Sequence, residues 1–372
     1  MGNGSSVNHK LNQEYAHGGN IYDNRVELDF SVNVNPLGVP EGVRKAMQEA
    51  VEHCAQYPEP GSRKLQETLG NCTGLQAEQI LFGNGASELF LAIVHALRPR
   101  KIVIPVPSFY GYEHAAGALG DATLVQYYEM REQNGFRPDE SIYEVLDGQG
   151  DLLFLANPNN PVGNLMDRDF LKKLLEYCRQ KGIYVVLDEC FMGLCPKGEG
   201  HSFLRQVESY PNLFVVRAFT KTYGIPGVRL GYLVCGDLEL AKWVGRQLPE
   251  WNVSLVAQTA GLAALKEIAE ADEAGQKDKN YPVQSGEQIA VWRRELEAAL
   301  RQFGFTVYEG EANYVFFKAA IPLYEKLLEK GILIRDCANY RGLGKGFYRV
   351  SVRTGEENEK LVRAIAEIVR SI

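Results

Sequence analysis

Residues 183–189, IYVVLDE, and residues 213–221, LFVVRAFTK, decide the fold of this 372-residue chain. Each segment is a short apolar run, with Asp188 near the end of the first and Lys221 at the end of the second. Between residues 80 and 236 the chain carries further runs of this kind: QILFG, KIVIPV, ATLVQYY, DLLFLAN and GYLVCG. Amphipathic segments such as SELFLAIVHALR lie between them. This alternation predicts an α/β domain with a mostly parallel seven-stranded sheet and helices on both faces.

The pattern changes on either side of this region. The polar, poorly periodic start of the chain predicts an N-terminal arm, which we assign to residues 1–40. Residues 41–265 are predicted to form the large domain. Residues 266–372 contain a polar linker, two amphipathic helices and the strand candidates FTVYEG, NYVFFKA, ILIRD and YRVSV. They are predicted to form a smaller α+β C-terminal domain.

Composition excludes several classes of protein. A net charge of -7 argues against nucleic acid as the main partner, because phosphate binding needs excess lysine and arginine. No apolar stretch approaches the length of a membrane span, so we expect no membrane partner. The seven cysteines form no CxxC pair and no histidine lies near Cys190 or Cys195, so we expect no metal. Unpaired thiols inside apolar runs are typical of a reduced, cytoplasmic protein.

Polar residues follow three of the predicted strands. Asn160 follows DLLFLAN, Asp188 lies in IYVVLDE, and Lys221 follows LFVVRAF. Open α/β sheets bind ligands in the crevice beyond the carboxyl ends of their strands. We therefore expect a ligand site where these three side chains meet.

Pyridoxal 5′-phosphate (PLP) requires three kinds of side chain, and the sequence offers them in Lys221, Asp188 and Arg229. A lysine forms the Schiff base, a carboxylate holds the pyridine nitrogen protonated, and a cation binds the phosphate. Such a lysine must be partly desolvated or lie near other cations, and the neighbouring Phe219 and Arg229 fit that need. Taken singly, each has an ordinary alternative: a surface lysine, a helix-capping carboxylate and a surface salt bridge.

Several neighbouring segments extend the predicted cofactor site. The turn GNGASE (residues 83–88) precedes a helix, where backbone amides attract a phosphate, and Thr220 can add a hydroxyl. Asn160 in NPNNPVG (157–163) is predicted to donate to the ring oxygen, and Phe109 to stack on the ring face. The alternatives are plain turns and an aromatic residue in the core.

Arginines alternate with apolar residues near the C-terminus. In an extended strand, Arg349 and Arg353 would point to the same side. With Arg335 they predict a pocket for carboxylate and phosphate groups, with a salt-bridged face as the alternative. His17, beside two glycines, reads on its own as a surface loop residue.

These motifs, in this order, resemble the PLP enzymes of the aspartate aminotransferase fold, fold type I. The superfamily signals are NPNNPVG, DEC and TKTYGIPGVRLGY. Narrower signals, AHGGN, LDFSVNVNPLG, QLPEWNVSLVAQ and ILIRDCANYRGL, resemble the threonine-phosphate decarboxylase family of cobalamin biosynthesis, whose nearest relatives are histidinol-phosphate aminotransferases. The resemblance extends from residue 17 to the final helix.

The resemblance implies PLP-dependent decarboxylation of L-threonine O-3-phosphate to (R)-1-aminopropan-2-yl phosphate and carbon dioxide. The alternative is an aminotransferase for histidinol phosphate or an aromatic amino acid. A protein of this fold that has lost catalysis and serves in binding or regulation is a third reading, which the intact Lys221, Asp188 and Arg229 disfavour.

The resemblance also implies a role for each site residue. Lys221 and Asp188 are the catalytic pair, Asn160 binds the ring oxygen and Phe109 stacks on the ring. A homodimer with shared active sites is implied, because Tyr57 matches the tyrosine that reaches the phosphate of the neighbouring subunit. The remaining residues fall into a phosphate-binding group, Gly85, Ala86, Ser87, Thr220 and Arg229, and a substrate-binding group, His17, Asn33, Arg335 and Arg349.

The chain departs from the aminotransferase pattern at two positions. Phe191 stands where aminotransferases of this group carry a tyrosine whose hydroxyl tunes the ring oxygen. Ala218 stands where a serine or threonine often binds the phosphate. Phe191 resembles the decarboxylase pattern. Because Ala218 has no hydroxyl, binding of the cofactor phosphate is left to Thr220, Arg229 and the glycine turn.

Overall fold

The computed structural model of the protein describes residues 18–147, 150–196, 198–276 and 279–371. Its strands are β1 (Leu28–Asp29), β2 (Ile80–Asn84), β3 (Lys101–Val106), β4 (Leu124–Glu129), β5 (Leu152–Ala156), β6 (Tyr184–Asp188), β7 (Leu213–Ala218), β8 (Leu230–Cys235), β9 (Thr306–Val307), β10 (Tyr314–Lys318), β11 (Ile332–Leu333), β12 (Arg335–Asp336) and β13 (Phe347–Ser351). Its helices are α1 (Glu41–Val51), α2 (Arg63–Thr73), α3 (Ala86–Leu97), α4 (Gly111–Gly117), α5 (Ile142–Leu146), α6 (Arg168–Lys181), α7 (Gly198–His201), α8 (Phe219–Thr222), α9 (Leu238–Gly245), α10 (Leu255–Glu273), α11 (Tyr281–Gln302), α12 (Leu323–Leu328) and α13 (Gly355–Arg370).

The central sheet has seven strands in the order β2-β8-β7-β6-β5-β3-β4. Strand β8 pairs antiparallel with both of its neighbours, and the other pairings in the sheet are parallel. Every strand of this sheet corresponds to one of the seven apolar runs in the sequence. The prediction of a mostly parallel seven-stranded α/β sheet is therefore confirmed.

Both faces of this sheet are buried, which explains why its strands are continuously apolar. Adjacent residues of a strand point to opposite faces. Phe154 and Val186 accordingly pack in one core with helices α3, α4 and α9, whereas Leu155 and Val185 pack in another with α6 and α10. The two cores fix the sheet from both sides and hold its strand ends in place.

A buried ion pair joins the ends of β6 and β7. Arg217 donates to the carboxylate of Glu189 at 2.9 Å, and this carboxylate also accepts from the Ser202 hydroxyl and the Phe203 amide. A buried charge is tolerated when its partners satisfy it in this way. The network fixes the backbone on the C-terminal side of Asp188.

The C-terminal part builds a second, antiparallel sheet. Its strands lie in the order β12-β13-β10-β9 and pack with helices α11 and α13 around a third core that includes Phe317, Val350 and Ile365. Helix α10 runs from Leu255 to Glu273, across the predicted boundary between residues 265 and 266. The division into arm, large domain and small domain stays a prediction.

Two local expectations differ from the structure. The run ILIRD, taken as one strand, is split: β11 pairs with β1, and β12 pairs with β13. Strand β13 ends at Ser351, so Arg353 lies beyond it and pairs with Glu357 at 2.7 Å at the start of α13. For Arg353 the salt-bridge alternative was therefore the correct one.

The segment from Leu28 to Asn35 connects distant parts of the chain. The Phe30 amide donates to Leu333 and the Phe30 carbonyl accepts from Ser351. The Asn35 side chain donates to the Thr222 carbonyl at 2.7 Å. Among the described residues, no helix is long and apolar enough to cross a membrane.

Candidate active site

The ends of three adjacent parallel strands meet at one edge of the central sheet. Ala156 pairs with Asp188, and Asp188 pairs with Val216, so β5, β6 and β7 end side by side. The turn that carries Asn160 follows β5, and α8, which carries Lys221, follows β7. The segments that carry Asn160, Asp188 and Lys221 therefore leave the sheet at the same edge.

Lys221 is a half-buried amine in a short helix. Burial, together with the guanidinium groups of Arg349 and Arg229, lowers its pKa to about 8 against the opposing charge of Asp188. Its Nζ lies 5.7 Å from the centre of the Phe191 ring. A substantial fraction of this amine is neutral near physiological pH, which a lysine that attacks an aldehyde requires.

Asp188 is held by two donors. The Tyr112 hydroxyl donates to Oδ2 at 2.6 Å and the Cys190 amide donates to Oδ1 at 2.9 Å. Burial raises the pKa of the Asp188 carboxyl, whereas these hydrogen bonds and the charge of Lys221 favour the ionised form. The carboxylate is thereby oriented to pair with a protonated ring nitrogen.

The turn before α3 forms a narrow cradle beside Arg229. Gly85 has a φ of 78°, and a Cβ at this position would lie 2.2 Å from Nη2 of Arg229. Only glycine combines this backbone conformation with so close an approach. Ala86 and Ser87 then begin α3, whose first amides point out of the helix. An amide-lined helix start beside a guanidinium is suited to a phosphate.

Arg335 and Arg349 lie directly opposite each other on β12 and β13, and both are buried. Arg349 donates to Oδ1 of Asn160, to the Ser31 carbonyl at 2.8 Å, and towards the Tyr340 hydroxyl at 3.5 Å. All three acceptors are neutral. Arg335 donates to Asn339 at 2.7 Å. This pair concentrates positive charge beside Asn160.

Asn33 lies in the segment between Ser31, which binds Arg349, and Asn35, which binds the backbone next to Lys221. It is 3% exposed, and its Oδ1 has no hydrogen-bond partner among the described residues. A buried polar atom without a partner is rare and is expected to bind a group that the protein chain does not supply.

Other predicted residues have different surroundings. Thr220 is buried next to Lys221, and Phe109 contacts the Tyr112 ring edge-on at 5.7 Å. Tyr57 is not part of this cluster within one chain: it is 79% exposed and packs on Trp251 at 4.8 Å. His17 lies outside the described residues.

Sequence reasoning missed Tyr112. This tyrosine is fully buried, stacks on Phe154 at 5.0 Å, and provides one of the two hydrogen bonds to Asp188 described above. A signal was present, because Tyr112 follows the candidate ring-stacking residue Phe109 by only three residues, in the segment after β3. The backbone carbonyl of Ser31 could not have been found, since any residue offers one.

The comparisons with known proteins agree with this geometry. Residues 25–365 match the family described as aminotransferase class I and II, and the chain belongs to this family. Enzymes of this family use PLP, and the protein is a PLP-dependent enzyme. The half-buried amine of Lys221, the oriented Asp188 carboxylate and the cradle at Gly85 fit that cofactor.

The individual relatives carry the names of different activities. The threonine-phosphate decarboxylase of Salmonella typhimurium is 35% identical and covers 96% of this chain and 97% of its own. An adenosylcobalamin biosynthesis bifunctional protein of Leptospira interrogans is 33% identical over 95% of this chain and 41% of its own. The crystal structure of the histidinol-phosphate aminotransferase from Clostridium acetobutylicum has a TM-score of 0.83 at 30% identity and covers 93% of this chain and 100% of its own.

Removing the Tyr112 hydroxyl should weaken the hold on Asp188. We expect Tyr112→Phe to lower kcat about tenfold, which corresponds to about 1.4 kcal/mol, because one hydrogen bond to the ionised carboxylate is lost. The pH at which the visible absorbance of the bound cofactor changes should shift as well. Tyr184→Phe, at the far end of β6, is the matched control and should alter neither quantity. An unchanged spectrum and kcat in Tyr112→Phe would contradict this role.

The pKa of Lys221 gives a pH dependence for cofactor capture. Below its pKa of about 8 the amine is protonated and cannot attack an aldehyde. The rate at which the cofactor-free protein binds PLP should therefore rise with pH and level off above about pH 8. Stopped-flow absorbance measures this rate. A rate that keeps rising to about pH 10, the ordinary range of lysine, would show that the amine is not perturbed.

Proposed function

We propose that this protein decarboxylates L-threonine O-3-phosphate, with PLP, to (R)-1-aminopropan-2-yl phosphate and carbon dioxide, in cobalamin biosynthesis. The observation that carries the proposal is the buried, directly opposed pair of Arg335 and Arg349. Two adjacent guanidinium groups suit a substrate with both a carboxylate and a phosphate. The named activities of the relatives from Salmonella and Leptospira support the same substrate and pathway.

In this proposal each predicted substrate residue, and each predicted contact of the cofactor ring, has a defined task. Arg349 binds the substrate carboxylate, because it already bridges Asn160 and the Ser31 carbonyl beside the strand ends. Arg335 and His17 bind the substrate phosphate, and Asn33 uses its unpartnered buried oxygen to bind the substrate. Asn160 binds the ring oxygen of the cofactor, and Phe109 packs on the ring.

The cofactor phosphate is assigned to a second group. Arg229 and Thr220 would bind it together with the amides of Gly85, Ala86 and Ser87, since Gly85 and Arg229 already form a narrow cradle. The backbone amides and the guanidinium satisfy different oxygens of one phosphate. This arrangement compensates for Ala218, which offers no hydroxyl.

When bound, PLP withdraws the electron pair that remains on the α-carbon after a bond to it breaks. Asp188 keeps the ring nitrogen protonated, and Tyr112 and the Cys190 amide keep Asp188 ionised and in place. By holding the substrate carboxylate, Arg349 would determine which bond to the α-carbon is placed to break, and so decide between loss of carbon dioxide and loss of hydrogen. Lys221, with a pKa of about 8, returns a proton to the α-carbon.

The rival activity is that of an aminotransferase, as in the relative from Clostridium acetobutylicum. Phe191 disfavours it, because this ring packs edge-on against Tyr314 at 5.2 Å and has no hydroxyl to offer the ring oxygen. Histidinol phosphate also carries no carboxylate for the second arginine. The arginine pair fits the two anions of a phosphorylated amino acid, but 2-oxoglutarate also carries two anions, so Phe191 is the observation that disfavours the aminotransferase.

A substrate panel separates the two activities. With O-phospho-L-threonine and no keto acid, we expect carbon dioxide and the amine phosphate in equal amounts. L-threonine is the matched control and should react far more slowly, because it has no phosphate for Arg335 to bind. Activity that appears only with histidinol phosphate and 2-oxoglutarate would assign the protein to the aminotransferases instead.

We further propose a cytoplasmic homodimer with shared active sites. Tyr57 and Trp251 pack against each other with tilted rings and are 79% and 46% exposed, and we propose that a second copy of the chain covers this surface. Tyr57 would then reach the cofactor phosphate of the neighbouring subunit. The free thiols of all seven cysteines suit a reducing compartment.

Mixing two inactive variants tests the shared site. Lys221→Ala and Tyr57→Ala should each be strongly impaired, but refolded together in equal amounts they should regain about a quarter of wild-type activity. Half of the dimers are then hybrids with one intact site of two. As the control, Lys221→Ala mixed with Asp188→Ala should regain nothing, because both residues belong to one subunit's site and every site of the hybrid dimer lacks one of them. Full activity of Tyr57→Ala alone would refute the role of Tyr57.

A further inference from the structure

A second cavity, of about 690 Å³, lies beside the strand ends. Its walls are the segment after β6, the residues 217–219 and 222–223 that flank Lys221, the end of α2, and the facing parts of α10 and α11. Neither Asp188, Lys221, Asn160 nor the Arg335–Arg349 pair lines it. The cavity is therefore separate from the cofactor and substrate site, although it shares the backbone that carries Lys221. Its volume is in the range of small-molecule sites.

Two buried polar atoms in the walls of this cavity have no hydrogen-bond partner among the described residues. One is the hydroxyl of Tyr223, a residue only 3% exposed, and the other is Oε1 of Gln206. Tyr223 is held by its ring, which stacks between Phe219 at 5.5 Å and Tyr281 at 5.9 Å. Its hydroxyl therefore cannot turn away easily to find another partner. Unpartnered buried groups of this kind indicate a ligand or ordered water.

The chemistry of the walls restricts the ligand. Apolar side chains, among them Met192, Phe219 and Leu265, form much of the lining. Among the described residues, the charged side chains in the walls are three carboxylates, of Glu189, Glu199 and Asp272, and two guanidinium groups, of Arg205 and Arg217. Arg217 is already paired with both glutamates. The excess of negative charge disfavours an anion, so the phosphorylated substrate does not fit here.

We propose that this cavity is a binding site for a neutral or cationic, largely apolar small molecule that donates an N–H or O–H group to Gln206 and pairs with the Tyr223 hydroxyl. Such a ligand would pack against Phe219 and Thr222, on either side of the residues that carry the Lys221 amine. The site is thus placed to influence the active-site lysine without contact with the substrate. The proposal concerns binding alone and stands apart from the reaction proposed above.

Three probes that share the indole ring system but differ in charge test the site in the holoenzyme. Indole is neutral, 3-(dimethylaminomethyl)indole is cationic, and indole-3-acetate is anionic. None carries a primary amine, so none can react with the cofactor aldehyde. By calorimetry, we expect the first two to bind one per chain with a Kd below about 1 mM, and the acetate to bind at least about tenfold more weakly.

Variants locate the binding. Tyr223→Phe keeps the stacked ring and removes the hydroxyl, and should weaken binding about tenfold. Tyr281→Phe is its control, since the Tyr281 hydroxyl donates to Gly38 and does not line the cavity. Ile268→Trp should fill the cavity and abolish binding, whereas Leu262→Trp on the same helix should not. Failure of both favoured probes to bind, equal binding of all three, or unchanged binding in Ile268→Trp would overturn the proposal.

Discussion

The hydrogen-bonded register of β5, β6 and β7 is the constraint on which the site depends. Ala156, Asp188 and Val216 stand side by side, so the three segments that follow must leave the sheet at one place. If one of these strands slipped by a residue, its side chains would point to the opposite face of the sheet and the segment after it would leave the sheet at a different place. The two cores on either face prevent such a slip, since each strand buries residues in both.

Burial acts on the two central charges in opposite senses. It raises the pKa of the Asp188 carboxyl and lowers the pKa of the Lys221 amine, and so favours the uncharged form of both. The lysine needs this effect, whereas the carboxylate must resist it. The two hydrogen bonds to Asp188 favour its ionised form. At Lys221, the nearby charges of Arg349 and Arg229 act in the same direction as burial and favour the neutral amine. The hydrogen-bond donors thus keep the Asp188 carboxylate ionised, whereas the Lys221 amine can lose its proton, although both groups lie in the same environment.

The sequence was sufficient for the large sheet because burial on both faces makes its strands continuously apolar. It was also sufficient to predict that Asp188 and Lys221 lie where strands end, because each comes at the end of such a run. It was not sufficient where a contact depends on distant pairing. The split of ILIRD follows from two different partner strands, and Arg353 leaves its strand because Glu357 lies at the start of the next helix. Tyr112 was missed because a buried tyrosine in an apolar segment resembles any other core residue.

The segment from Leu28 to Asn35 has a consequence for how the protein can be handled. Its backbone and side chains bind Leu333, Ser351 and Arg349 in the C-terminal part of the chain, and Thr222, the residue after Lys221. A shortened version that begins after residue 35 would therefore lose an internal tie between the two sheets and the carbonyl that orients Arg349. Affinity tags and fusion partners belong upstream of this stretch, and any trimming for crystallisation should stop before Leu28.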